Sequence, residues 1–208
     1  MTFPTLDVER EILGGAGLII GIDEVGRGAI AGPVAVGAFA VLVDESCECP
    51  PGLRDSKLLT ERRRIAVHEA LQAWGVARAV GLASPSEIDE HGIIPALTAA
   101  ALRALWALAE SGVDIRAATV LLDGKHDWLS GSASVGRVVA RVKADRDCAS
   151  VAAASVIAKV HRDELMLRLA SEHPHYGWDG NKGYGSAAHL AAIAAAGPSD
   201  HHRRTWLH

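Results

Sequence analysis

Apolar runs that stop abruptly on carboxylates restrict the fold of this chain more than any other feature. Leu18-Ile19-Ile20 leads through Gly21-Ile22 into Asp23 and Glu24. TVLLD, 119–123, ends on Asp123, and GRVVARVKAD, 136–145, ends on Asp145. The first two runs are short and apolar on both faces, which predicts strands inside a covered sheet, and the third is expected to be a strand up to its acid. PVAVGAFAVLV, 33–43, and VARAVGLA, 76–83, add two more strands. Helices are expected at 61–74, with Thr60 as N-cap and Gly75 as C-cap, and from Ser84-Pro85 through Asp89 to a stop at Gly92. Further helices fall at 95–110, 148–172 and 187–196. Residues 1–16 read as an irregular entry ending in Gly14-Gly15. Strands first, then helices and strands mixed, predict an α/β protein: one mixed sheet with helices on both faces.

A chain of 208 residues is long enough for one well-buried domain. Its 49% hydrophobic and 22% charged content excludes disorder. The net charge of −4 excludes a generally basic nucleic-acid binder. Any such function must use a local basic patch or metal ions that offset the acids. Cys47, Cys49 and Cys148 make no disulfide framework and read as two loop thiols and one packed thiol. MTFPTLDVEREIL has acids where a signal peptide needs positive charge, and no window reads as a membrane span, so a cytoplasmic protein is expected.

Sites in α/β sheets form where strands end and loops leave the core. Four acids gathered there would raise one another's pKa unless divalent cations sat between them. All-oxygen ligands favour Mg²⁺ or Mn²⁺. Two such ions, about 3.5–4 Å apart, suit phosphodiester chemistry. Asp23 and Glu24 pose a geometric difficulty, because adjacent strand residues point to opposite faces. Either the strand ends at Asp23 and the chain turns at Gly26, or Glu24 reaches around the sheet edge.

Gly26, Arg27 and Gly28 follow at once. Both glycines can adopt positive φ and let a ligand approach the main chain. Bare amides and a guanidinium would meet a phosphate or a sugar hydroxyl, including the 2′-OH that separates RNA from DNA.

GIDEVGRGAIAGPV at 21–34 resembles the opening motif of ribonuclease HII, the prokaryotic type 2 ribonuclease H. So do Asp55-Ser56-Lys57, LLDG at 121–124, KADRDCASVAAASVIAKVHRDE at 143–164 and NKGYGSAAHL at 181–190. The motifs keep the family's order across residues 18–206. The resemblance implies a ribonuclease H-like fold: a mixed five-stranded sheet flanked by helices, with a small C-terminal helical segment. It implies one domain over 1–208, with a core at about 17–170 and a substrate-binding segment at about 171–208. Asp23, Glu24, Asp123 and Asp145 would be the metal-binding and catalytic acids, for two Mg²⁺ or Mn²⁺ ions. Gly26, Arg27 and Gly28 would read the ribonucleotide, and Tyr184 would stack on the sugar that follows it. Lys57 would contact phosphate, and Lys143 and Lys182 would add positive charge beside the acids.

The expected activity is endonucleolytic cleavage of RNA in RNA–DNA hybrids and 5′ of ribonucleotides embedded in duplex DNA, by a monomer. The products would carry 3′-hydroxyl and 5′-phosphate ends. Two departures stand out. Lys143-Ala144-Asp145 replaces the family's frequent Lys-Gly-Asp, and the chain is expected to lack a C-terminal extension of some relatives, with a smaller duplex-binding surface. The rivals are another nuclease of this fold, a resolvase or exonuclease, and a non-catalytic hybrid-binding module.

Of the remaining features, Arg162 and Asp163 read as an ion pair or a solvated pair, His126 as a loop histidine and Trp178 as a packing residue. Trp74 and Trp106 read as core. HHRR at 201–204 is a basic tail, open to either duplex contact or solvation.

Overall fold

A computed structural model of the chain describes residues 3–131 and 135–207. Its centre is a five-stranded sheet: β1 (Gly17–Val25), β2 (Val34–Val43), β3 (Ala77–Ala83), β4 (Thr119–Asp123) and β5 (Val138–Arg141). The strand order is β3-β2-β1-β4-β5. β1, β2 and β3 form an antiparallel meander, while β4 runs parallel to β1 and β5 parallel to β4. The mixed sheet expected from the sequence is the one observed.

The helices, in chain order, are α1 (Asp7–Leu13), α2 (Glu61–Ala70), α3 (Pro85–His91), α4 (Ile93–Glu110), α5 (Ala144–Asp147), α6 (Ala149–Glu172), α7 (Trp178–Asn181) and α8 (Ala187–Ala196). Among the described residues one core cluster lies between the sheet and α6, a second between the sheet and α4, and a smaller third gathers Met166 and Leu169 of α6 with Tyr176 and Trp178. The α6 helix is buried almost all round from Ala149 to Ala158. Its small residues let it sit against the strands where these carry glycine. A Cβ on Gly21 would stand 2.2 Å from the Ser150 carbonyl carbon, and one on Gly37 would stand 2.3 Å from the Ala154 oxygen. A side chain at either position would push the helix off the sheet.

Several local expectations need correction. Residues 7–13 form α1 rather than an irregular entry, closed by Gly14 in the left-handed region at φ 68°. Glu9 of this helix is buried, and its Oε1 accepts from the Ser150 amide and hydroxyl, which satisfies the first turn of α6. The α2 helix stops at Ala70, before the glycine expected to cap it, and a looser turn follows. The run 136–145 is not one strand. β5 ends at Arg141, and Asp145 sits on the short helix α5, entered through Lys143 at φ 62°. Trp106 is 60% exposed, so it is not core, whereas Trp74 stacks on Phe39. By length and composition α4 would pass as a membrane span, contrary to the reading of the sequence, but its apolar face packs on the sheet.

Candidate active site

β1 and β4 run parallel with Ile22 opposite Leu122. The next residue on each strand is an aspartate, so Asp23 and Asp123 leave the sheet side by side and on the same face. Ile22 and Leu122 point into the α4 core, while Ile19 and Leu121 point towards α6. By alternation both aspartates face α6. Asp145 comes up beside them from α5, only 3% exposed. The backbone amides of Ala144 and Asp145 pull the Asp123 carboxyl downward, against the effect of its burial. A helical turn therefore does what a strand end was expected to do.

β1 continues to Val25, so it does not end at Asp23. Glu24 alternates to the other face of this central strand. Its charge acts on both Asp23 and Asp123, and its Oε1 lies 3.3 Å from Arg27 Nη1.

The electrostatics are those of an anionic cup. Asp23 is 8% exposed, and burial pushes its carboxyl well above the ordinary range. The charges of Glu24, Asp123 and Asp145 push it further, and the nearby Ser155 hydroxyl pulls the other way. Burial and Asp145 raise Asp123 as well. Among the described residues, Asp123 Oδ1 is buried with no hydrogen-bond partner. A buried carboxylate oxygen left unpaired costs about 1–3 kcal/mol or more. Clustered carboxylates with an orphaned oxygen fit hard divalent cations.

Lys57 supplies the nearest positive charge. It lies on a 3₁₀ turn, Ser56–Leu58, and its Nζ bonds Asp145 and lies 3.0 Å from Asp55 Oδ2. Those two carboxylates hold its ammonium well above the usual lysine range, against the effect of burial. Ser155 on α6 joins the turn to the helix, bonding the Ser56 hydroxyl at 2.7 Å. Lys57 thus contacts an acid of the cluster, which the sequence did not suggest.

The glycine–arginine loop is held from behind by two buried arginines. Arg162 Nε and Nη2 donate to the carbonyls of Pro33 and Ala31, at 2.9 and 3.1 Å, and its Nη1 donates to Lys182 O at 2.9 Å. Arg203 donates to the carbonyls of Gly26 at 2.6 Å, Arg27 at 2.8 Å and Gly32 at 3.1 Å. Both side chains are 0% exposed. Arg162 is therefore no partner of Asp163, which pairs with Arg64 and Lys159 instead. The tail at 201–204 is not solvated as a whole, since His202 and Arg203 are buried. Of the two glycines, only Gly26 has positive φ, at 79°, and Gly28 does not. A Cβ on Gly28 would meet nothing within 4 Å.

Tyr184 is brought to the same place. The amides of Ile30 and Ala31 donate to the Gly183 carbonyl at 2.9 and 3.0 Å. Tyr184 stands 41% exposed, with the Arg162 guanidinium 5.7 Å from its ring centroid. Behind it, His189 Nδ1 donates to Tyr184 O at 2.9 Å and its Nε2 accepts from Trp178 Nε1 at 2.9 Å. Trp178 is fully buried, as expected of a packing residue. Lys182, half-buried at φ 49°, turns its Nζ to the Asp179 carbonyl. Lys143 is exposed beside α5, and His126 is exposed.

A mixed five-stranded sheet between helices, with acids from β1, β4 and a following helix converging on one face, defines a ribonuclease H-type hydrolase. The comparisons make that particular. The family model described as Ribonuclease HII matches residues 20–208. The chain is 47% identical over 207 residues to the ribonuclease HII of Streptomyces avermitilis, covering 99% of this chain and 84% of the relative. The crystal structure of ribonuclease H2 from Pyrococcus horikoshii OT3 superposes with a TM-score of 0.65 at 26% identity, over 91% of this chain and 93% of that one. The structure of Bst-RNase HIII in complex with Mn²⁺ gives 0.66 at 26% identity, over 88% of this chain and 64% of that one. The chain belongs to the ribonuclease HII family and is a ribonuclease H endonuclease. The family is metal-dependent.

Proposed function

We infer that Asp23, Glu24, Asp123 and Asp145 hold two Mg²⁺ or Mn²⁺ ions, and that the enzyme incises on the 5′ side of ribonucleotides in duplex DNA as well as in RNA–DNA hybrids. The observation that carries this is that Asp23 and Asp123 follow the paired Ile22 and Leu122 on one face, where Asp123 Oδ1 lacks a partner among the described residues. When bound, the ions supply Lewis-acid activation of water and neutralise charge at the phosphodiester.

The protein's own contribution is placement. Parallel register brings the two aspartates out level, one residue past the paired Ile22 and Leu122, and the amides of Ala144 and Asp145 favour the charged form of Asp123. Lys57 holds Asp145 in position and lies where it can meet a scissile-strand phosphate. The Gly28 main chain and Arg27 approach the ribose and its 2′-OH, with no side chain at Gly28 to keep a sugar away. Tyr184 stacks on the next sugar, and Lys143 and Lys182 attract the backbone. Residues 1–208 act as one domain, in which the segment after about 171 shapes the substrate surface. The substrate is a ribonucleotide-containing duplex, met by a cytoplasmic monomer that removes misincorporated ribonucleotides and RNA primers.

The deciding experiment presents three duplexes with Mg²⁺, Mn²⁺ or EDTA: all DNA, DNA with one ribonucleotide, and an RNA–DNA hybrid. Cleavage 5′ of the single ribonucleotide, leaving a 3′-hydroxyl, is expected with either ion and not with EDTA. Cleavage of the all-DNA duplex, or none at the single ribonucleotide, overturns the assignment.

A further inference from the structure

A second group of metal-ligating side chains lies away from the acids of the sheet. Glu172 ends α6, His173 caps it, and His201 belongs to the C-terminal segment. Each offers one ligand atom, and the three atoms lie within 4.8 Å of one another. The two histidine rings pack against each other and against a buried aromatic. Their centroids are 5.4 Å apart, and they stand 5.5 and 6.0 Å from the ring of buried Trp178. The C-terminus of a 24-residue helix adds partial negative charge at the same point.

We propose that Glu172, His173 and His201 form a second cation site, selective for Zn²⁺ or a similar late transition ion, that staples the C-terminal segment to the end of α6. Two imidazoles and a carboxylate suit Zn²⁺ rather than Mg²⁺, which prefers oxygen throughout. Tetrahedral ligands at about 2.0–2.1 Å from Zn²⁺ stand roughly 3.3 Å apart, so small side-chain rotations close the set. Three protein ligands leave a fourth position for water. His201 O accepts from the Gly32 amide at 2.8 Å, and Arg203, two residues on, holds the carbonyls of Gly26, Arg27 and Gly32. An ion here therefore braces the segment that supports the glycine–arginine loop, without touching the acids.

The test is Zn²⁺ titration of the full chain with excess Mg²⁺ present, followed by calorimetry and thermal melting, with Co²⁺ as a spectroscopic probe. One tight Zn²⁺ per chain, a rise in Tm and a visible Co²⁺ band of tetrahedral intensity are expected. His173→Ala and His201→Ala should each weaken binding about tenfold or more and abolish the Tm rise, while Asp23→Asn should leave both unchanged. No Zn²⁺ bound beyond Mg²⁺ competition, or binding lost in Asp23→Asn and kept in the histidine variants, overturns the proposal. Because the readout is Zn²⁺ binding and not cleavage, its failure leaves the nuclease assignment standing.

Discussion

Arg203 Nη2 donates to the carbonyl of Gly26 at 2.6 Å across 177 residues of chain. The contact joins the last segment of the protein to the loop that begins one residue after β1. That loop carries Arg27, whose Nη1 lies 3.3 Å from Glu24 Oε1 of the acid cluster. Its shape is thus set by a buried cation that arrives from the far end of the sequence.

Removing that cation should loosen the loop. Arg203→Ala leaves the carbonyls of Arg27 and Gly32 without their buried donor, while Gly26 keeps only the Ala29 amide at 3.2 Å. Each orphaned group costs about 1–3 kcal/mol, so a loss on the order of 3 kcal/mol is expected after relaxation. Urea unfolding measures it, and the KM for a single-ribonucleotide duplex should rise in parallel. A loss under about 0.5 kcal/mol would show that water replaces the guanidinium.

The two loop glycines should separate structure from recognition. Gly26→Ala forces a side chain to φ 79° and puts its Cβ 2.1 Å from Arg162 Nε, so about 2 kcal/mol or more of stability should go. Gly28→Ala meets nothing within 4 Å, so stability should hold to about 0.5 kcal/mol. Cleavage at a single ribonucleotide should nevertheless fall about 10- to 100-fold as the new methyl holds the sugar away. Equal activity in Gly28→Ala and the parent enzyme would mean that the substrate does not approach there.

At the acid cluster, Asp23→Asn should cut Mg²⁺-dependent cleavage to below about one-hundredth, since loss of an inner ligand exceeds the 10–100-fold typical of outer-shell changes. The fold should be kept, and Tm should be equal or higher, because one of four mutually repelling charges is gone. Circular dichroism and thermal melting give the second half of that statement. A marked fall in Tm would point to a structural role for the charge.

Acid stability should depend on Glu87. Its side chain accepts from the Ser84 amide at 2.8 Å and pairs with Arg103 at 2.6 Å. Chiefly through Arg103, its pKa falls to about 2. The unfolded chain takes up this proton at about 4.5, the folded one only near 2. The contribution is therefore complete above about 4.5 and is lost as the pH drops towards 2. Glu87→Gln should cost roughly 1 kcal/mol at pH 7, allowing for solvent screening of a half-exposed pair. The gap between variant and parent should shrink at pH 3. A gap that stays constant would assign the cost to packing.

The sequence by itself determined four of the five strands, the longer helices and the acids near the ends of β1 and β4, because those depend on local periodicity and chain termination. Thr60 was legible as a cap for the same reason: its side chain bonds the amide three residues on. It also carried the family resemblance through short contiguous motifs. Tertiary structure alone decided the rest. Asp145 was readable as an acid, but its position on α5 depends on a left-handed turn at Lys143 that local propensity disfavours. Arg162 looked like half of an ion pair with its neighbour, yet adjacent helix positions do not face each other, and it turns inward to carbonyls of a distant loop. Arg203 read as part of a basic tail, open to duplex contact or solvation, for want of any local pattern. Whether a cation is buried depends on which carbonyls the fold brings to it, and here those lie more than 170 residues away.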